Sequence, residues 1–189
     1  MLARARREPD ALVIGIDAAA TAMAESSLRA ARPAGKGGLP NAIFVVAAAE
    51  RPPAELAGIA AEVTITMPWG SLLRGALALD GSSAAADGIA ALVAPGGAVR
   101  VFLSIAPRDG LALPELEDVD AVDLASRWRG HSLALTTFEP ADAAAIAASD
   151  SSWSRRLAAG RDRAVWRIEL RRGTAAAGRP PASELATRR

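Results

Sequence analysis

The sequence predicts an α/β fold built on an open parallel sheet, and three observations lead to it. Short apolar runs alternate with segments of helical pattern, which favours right-handed crossovers between parallel strands. The first two runs, residues 11–17 and 42–50, are continuously apolar before each ends in an acid, as expected of strands covered on both faces. The chain of 189 residues, 51% of them hydrophobic, suffices for one core.

The predicted elements follow one another in a regular order. Strands are predicted at 11–17, 42–50, 62–67, 98–106, 131–139 and 164–170, and helices at 18–31, 71–79, 82–93, 119–130 and 140–149. Pro and Gly break the chain after the first helix, and "APGG" at 94–97 predicts a turn. Because residues 173–189 lack periodicity, we expect a domain of residues 1–172 followed by a disordered tail.

Composition removes several classes of site. The chain has no cysteine, which excludes disulfides and thiol chemistry, and no metal site is expected. His131 is the one histidine and is expected to be structural or at the surface. No apolar run is long enough for a membrane span, and the charged N-terminus lacks the apolar stretch of a secretory signal. These features predict a cytoplasmic protein.

Acids at the strand ends predict a ligand site, because ligands of such sheets bind beyond the carboxyl ends of the strands. Asp17 could accept hydrogen bonds from both hydroxyls of a ribose, or could instead cap the helix that begins at Ala18. Glu50 follows three alanines that would leave room for an adenine ring, although a solvated loop carboxylate is the alternative.

Two of the four tryptophans predict a surface for a flat ligand. Trp69 in "PWGS" and Trp153 in "SSWSRR" lie beside small or polar residues, whereas Trp166 lies in an apolar run and Trp128 near a helix end. We expect the latter two to pack in the core. Loop tryptophans can clamp an aromatic base, with stacking of about 1–3 kcal/mol per base.

Local charge predicts a nucleic-acid partner. Seven arginines lie between Ser151 and Arg172, against two acids, and an exposed tryptophan beside such an excess suits a phosphate backbone. The alternative is a solvated basic face in which Arg167 and Asp162 form ordinary ion pairs. Lys36, the one lysine, lies in a glycine-rich loop from which it could reach another phosphate.

Two stretches carry a family resemblance. The segments "KGGLPNAIFVVAAAE" with "TMPWGSLLRG", and "SSWSRRLAAGRDR", resemble the kanamycin–apramycin resistance family of 16S ribosomal RNA methyltransferases. The resemblance covers about residues 2–170. It implies a Rossmann-like class I methyltransferase fold, S-adenosylmethionine as cofactor, and methylation of N1 of a decoding-site adenine in the small ribosomal subunit, a modification associated in the family with aminoglycoside resistance.

The resemblance also implies residue roles. Asp17 matches the family's ribose-binding acid, and Ala49 with Glu50 matches the residues beside the cofactor's adenine. Trp69 and Trp153 match the pair that sandwiches the flipped target adenine. Ser151 stands where the family has a Thr or Ser near the reactive centre. The positions that match rRNA-contacting residues are Lys36, Arg156 and Arg161. Because adenine N1 has a free lone pair, the reaction requires no general base. The protein is expected to be a monomer.

One departure from the family concerns its glycine-rich loop, which holds the methionine part of the cofactor. No such motif precedes "LVIGID", and "LARARREPD" resembles the helix that would follow it. We therefore expect a sheet that lacks its first, central strand, between the strands at Leu12 and Val63, and either a misassigned start at Met1 or a degenerate fragment. A truncated RNA-binding remnant and a small-molecule methyltransferase are the alternative functions.

Overall fold

The computed structural model describes residues 1–79, 84–106, 109–110, 113–149 and 164–174, and it confirms the mixed α/β class. The helices are α1 (Leu2–Arg7), α2 (Ala20–Ala30), α3 (Gly70–Ala76), α4 (Ala84–Leu92), α5 (Ala121–Gly130) and α6 (Ala143–Ala148). The strands are β1 (Val13–Asp17), β2 (Ala42–Val46), β3 (Ala60–Thr66), β4 (Val93–Leu103), β5 (Leu133–Pro140) and β6 (Trp166–Arg172).

The described strands form two hydrogen-bonded sheets. Strands β1 and β2 pair in parallel, and the second sheet has the order β3-β4-β6-β5. In that sheet β3 and β4 are parallel, whereas β6 runs antiparallel to both β4 and β5, so the prediction of a parallel sheet was wrong for this part of the fold. The expected lack of a central strand between β1 and β3 stays a prediction. So does the tail at 173–189, of which only the first two residues are described.

Among the boundaries that differ from the sequence-based expectation, two change a connection. Strand β2 ends at Val46, so 47–50 form a loop instead of continuing the ladder. Strand β4 begins at Val93 and includes 94–97, which were expected to form a separate turn. The glycines still bend the chain there: Gly96 has φ +76° and its N–H donates to the Gly173 carbonyl at 3.2 Å. The β3–β4 register shifts at the same place.

The main core lies between one face of the four-stranded sheet and helices α3, α4 and α5. Trp128 on α5 is fully buried there, as expected, and half-buried Trp166 packs against Phe138 with ring centroids 4.6 Å apart. His131 is a buried structural residue, since its Nδ1 lies 2.8 Å from a carboxylate oxygen of Asp87 on α4. The three aromatic expectations about the core are thus confirmed.

Helix α1 packs against the smaller sheet. Ala5 is buried with Ala30 and Ala42 in a second apolar cluster. The side-chain amide of Asn41 donates to the carbonyl oxygens of Ala5 in α1 and of Glu8 and Ala11 after it, at 2.9–3.0 Å. These contacts fix the chain that leads from α1 into β1.

Ion pairs cross the other face of the four-stranded sheet. Glu62 on β3 accepts from Arg4 of α1 and lies 2.8 Å from Arg100 Nη1 on β4. Arg100 in turn lies 3.5 Å from Glu169 on β6, and Arg167 bonds to Glu139 on β5. Because α1 also packs on β1, Glu62 ties the smaller sheet to the larger one.

Replacing Glu62 by alanine should lower the free energy of unfolding by about 1–2 kcal/mol, more than the roughly 0–1 kcal/mol of an exposed pair. The reason is that its side chain is only 18% exposed and serves two arginines. Urea unfolding measures the change, and Glu139→Ala is the matched control because that carboxylate is 52% exposed. Equal losses in the two variants would contradict the special role of Glu62.

Candidate active site

The carboxyl ends of β1, β2 and β3 carry the residues that the sequence singled out. Asp17 is the last residue of β1, Ala49 and Glu50 lie in the loop after β2, and Trp69 follows β3. The Ser71 side chain on α3 hydrogen-bonds to the Glu50 carboxylate. This bond places the end of β2 beside the exit of β3, although the two strands belong to different sheets.

Asp17 is exposed, and one of its carboxylate oxygens accepts the Ala19 N–H at 2.8 Å. Ala19, not Asp17, is the N-cap of α2, so the carboxylate closes an Asx turn before the helix instead of capping it. Its other oxygen has no hydrogen-bond partner among the described residues. Asp17 is therefore both fixed in orientation and able to accept from a ligand.

Glu50 is held as a carboxylate. The hydrogen bond from Ser71, then one from its own backbone, lowers the pKa of Glu50 below the ordinary value, and the charge of Arg51 acts in the same direction. Helix α4 packs directly on this loop: a Cβ on Gly88 would lie 1.7 Å from the Ala49 carbonyl oxygen. Only glycine permits that approach, so Gly88 supports the segment that presents Glu50.

Trp69 projects from the turn between β3 and α3 and is 59% exposed. Pro68 before it is buried, and Gly70 after it has φ +59°. The largest apolar side chain of this turn thus faces solvent at the edge where Glu50 lies. Such an indole offers a free aromatic face.

One predicted residue within the described ranges, Lys36, is not brought to this edge. Lys36 is exposed in a short 3-10 turn (Ala34–Lys36) before β2, and thus lies at the amino ends of the strands. The remaining predicted positions lie outside the described residues: Ser151, Trp153, Arg156 and Arg161. A single contiguous site that includes them stays a prediction.

The arginine-rich segment is only partly available for a ligand. Arg167 pairs with Glu139 and Glu169, and Arg172 donates to the Ala90 carbonyl at 2.9 Å. Arg171 is exposed. Arg167 thus forms ordinary ion pairs, as the alternative interpretation held. Asp162, for which that interpretation also expected ion pairs, lies outside the described residues.

Sequence reasoning missed the two residues that hold the loop of Glu50. Ser71 follows "PWG" directly, and Gly88 interrupts an alanine-rich helix. A glycine inside a helical pattern is a known sign of close backbone approach, and it could have been noticed. The contact between Ser71 and Glu50 could not have been predicted, because it joins the ends of two different strands.

Comparison with known proteins now fixes the family. The family model described as NpmA: 16S rRNA (adenine(1408)-N(1))-methyltransferase matches residues 1–172. The chain belongs to this family. A 16S rRNA (adenine(1408)-N(1))-methyltransferase of Streptoalloteichus hindustanus is 39% identical over 166 residues, which cover 84% of this chain and 75% of that protein.

Solved structures agree on the fold. The aminoglycoside resistance methyltransferase NpmB1 matches with a TM-score of 0.70 and 36% identity, over 90% of this chain and 80% of its own. A variant of the 16S rRNA (adenine(1408)-N(1))-methyltransferase from Catenulisporales acidiphilia, solved with the cosubstrate SAM, matches with a TM-score of 0.72 and 28% identity, over 93% and 80%. The predicted methyltransferase class of the fold is confirmed.

Two further properties concern the described part of this methyltransferase-family chain. None of its helices there combines the length and apolar character required to cross a membrane. Within the same ranges, no three acidic or histidine side chains are grouped so that they could hold a metal ion.

Replacing Ser71 by alanine should raise the pKa of Glu50 towards its ordinary value, because the largest cause of its lowering is removed. A carboxylate with a lowered pKa stays ionised until the pH falls through that lowered value. We predict that Glu50 contacts the cofactor, so affinity for S-adenosylmethionine should drop about 2- to 10-fold at neutral pH because the carboxylate loses the hydrogen bond that orients it. Affinity should also fall off at higher pH than in the parent, because the raised pKa lets Glu50 take up a proton sooner.

Calorimetric titration with S-adenosylmethionine from about pH 7 to about pH 3.5 measures both effects across the ordinary carboxyl range. Ser26→Ala on α2 is the control, since no hydrogen bond of that side chain is seen among the described residues. An unchanged pH profile in Ser71→Ala would show that Ser71 does not govern the ionisation of Glu50.

Proposed function

We propose that this chain transfers the methyl group of S-adenosylmethionine to N1 of a decoding-site adenine in 16S rRNA. Family membership supports the reaction. The observation that carries the proposal to this chain is the exposed indole of Trp69, which lies at the carboxyl edge of the sheet beside Glu50. A free aromatic face next to a nucleoside-binding edge suits an extruded base.

The residues of this edge fit the cofactor. Asp17 has a carboxylate oxygen without a partner among the described residues, which suits ribose hydroxyls. Glu50 is held as an anion beside Ala49, which suits the amino group of an adenine ring packed on small residues. When bound, S-adenosylmethionine supplies a methyl group activated by a sulfonium. The chain itself contributes orientation.

The base side of the site depends on Trp69. N1 lies on the pairing edge of adenine, so the base must leave its stack to be reached. Stacking on Trp69, with Trp153 as the second face, would hold the base near attack distance, and such positioning can account for much of a barrier. Methylation makes the base cationic, and an indole face stabilises a cation. We propose that Ser151 lies near the reacting groups.

The surface that contacts rRNA would extend well beyond this edge. Lys36 lies at the amino ends of the strands, so an RNA that contacts both Lys36 and Trp69 must span the domain. We propose Arg156 and Arg161 as further phosphate contacts. The assembled small ribosomal subunit is the partner that we favour, with the enzyme acting as a cytoplasmic monomer and conferring aminoglycoside resistance.

The proposal is tested with purified small ribosomal subunits and radiolabelled S-adenosylmethionine. We expect label in 16S rRNA and a primer-extension stop at the decoding-site adenine. Subunits that bind the chain without any cofactor binding by calorimetry would instead favour an RNA-binding remnant. Label transferred only to small molecules would favour a small-molecule methyltransferase.

A further inference from the structure

The turn that presents Trp69 contains an unusual backbone conformation. Met67, the first residue after β3, has φ +48°, in the left-handed region that residues other than glycine rarely adopt. Within the described ranges only two other such residues exist, Ala78 and Ser132. Both follow the last turn of a helix, where a left-handed residue is common. Met67 instead ends a strand, at the candidate active edge.

Met67 is held in this conformation from both sides. Its N–H donates to the Phe102 carbonyl on β4 at 2.7 Å, which continues the ladder for one more residue. Pro68, which follows, is buried and has a ring that fixes its own φ. Gly70 then turns the chain into α3 with φ +59°. The surroundings therefore determine the conformation of Met67 although its side chain disfavours it.

We propose that Met67 is a positioning residue: its left-handed backbone fixes the direction in which the Trp69 indole leaves the sheet. The inference rests on the proposed role of Trp69 as a base platform. A strained residue persists only when its surroundings demand it, and such residues cluster at functional sites. Glycine would relieve the strain, but it would also open other backbone conformations to the turn and so let Trp69 adopt several directions.

The decisive comparison is between Met67→Ala and Met67→Gly. Both variants lack the methionine side chain, so they differ only in whether a Cβ restricts the backbone. We expect Met67→Gly to have a kcat about tenfold lower than Met67→Ala, because the acceptor base is less well oriented. The KM for S-adenosylmethionine should agree within about twofold, and the melting temperature of the glycine variant should be equal or higher.

Ala78→Gly is the matched control, since it relieves a left-handed residue that is fully buried at the end of α3. It should leave kcat unchanged relative to the parent. A loss of kcat in Ala78→Gly as large as that in Met67→Gly would overturn the inference, because the effect would then come from general loosening of the fold.

A second readout does not depend on activity. In protein labelled with 5-fluorotryptophan, the ¹⁹F signal of Trp69, assigned with Trp69→Phe, should be single and sharp in Met67→Ala and broadened or split in Met67→Gly. If the parent chain fails to methylate rRNA but the signals differ in this way, the positioning role stands and the proposed function fails. Identical signals in both variants would overturn the positioning role, whatever the activity.

Discussion

Replacing Trp69 by alanine should slow methyl transfer to adenine N1 by about 5- to 150-fold while leaving affinity for S-adenosylmethionine within about threefold. This range is the rate equivalent of about 1–3 kcal/mol of base stacking lost in the transition state. Single-turnover methylation of small ribosomal subunits measures the rate, and calorimetry measures the affinity. The expected separation of the two defines Trp69 as a residue for the acceptor base.

The structure explains why this substitution should affect the reaction more than the fold. The side chain is 59% exposed, so truncation leaves no large cavity, and we expect a change in unfolding free energy within about 0.5 kcal/mol. The backbone of the turn stays in place, because Met67 and Gly70 set it rather than the indole. A large rate loss without a stability loss would therefore show that Trp69 acts on the acceptor base and not on the fold.

Two controls sharpen the result. Trp69→Phe keeps an aromatic face and should retain an intermediate rate, whereas Val122→Ala, on an apolar side chain that is 78% exposed on α5, should change nothing.

Trp153→Ala should abolish methylation while largely sparing cofactor affinity, if it forms the opposite face of the clamp. Parent-like turnover in either tryptophan-to-alanine variant would remove that residue from the base site.

The alternation of strands and helices could be predicted because apolar runs and the glycines that interrupt them are visible in short stretches of sequence. The run at 11–17 contains β1, and the acid at its end, Asp17, is the last residue of that strand as expected. Trp69 could be identified because its indole stands between Pro68 and Gly70, beside small residues and not inside an apolar run. Local pattern thus identified the element and the unusual side chain.

Features that depend on separate strands could not be predicted in this way. Glu62 looks like an ordinary polar residue of an alternating strand, yet it joins α1 to two strands through Arg4 and Arg100. The bond between Ser71 and Glu50 likewise depends on two strand ends meeting across separate sheets. The left-handed Met67 could not be foreseen either, since nothing in its side chain favours that conformation.

Replacing Asp17 by asparagine should weaken S-adenosylmethionine binding by about 10- to 150-fold, the equivalent of one charge-assisted hydrogen bond of about 1.5–3 kcal/mol. Asparagine keeps an oxygen that can accept the Ala19 N–H, so the Asx turn and the fold should survive. Only the charge at the ligand edge is lost. Calorimetry gives the affinity and thermal unfolding gives the stability of the same sample.

If Asp17 served only the fold, its replacement would lower stability and leave cofactor affinity unchanged. Asp120 provides an example of such a residue. Asp120 caps α5 by accepting the Val122 N–H at 2.6 Å, so Asp120→Ala should lower stability by about 1 kcal/mol without changing cofactor affinity. Asp17→Ala should show both defects, because it loses the turn and the charge together. If Asp17→Asn binds the cofactor like the parent, the carboxylate serves only the turn, and ribose recognition must belong to another residue.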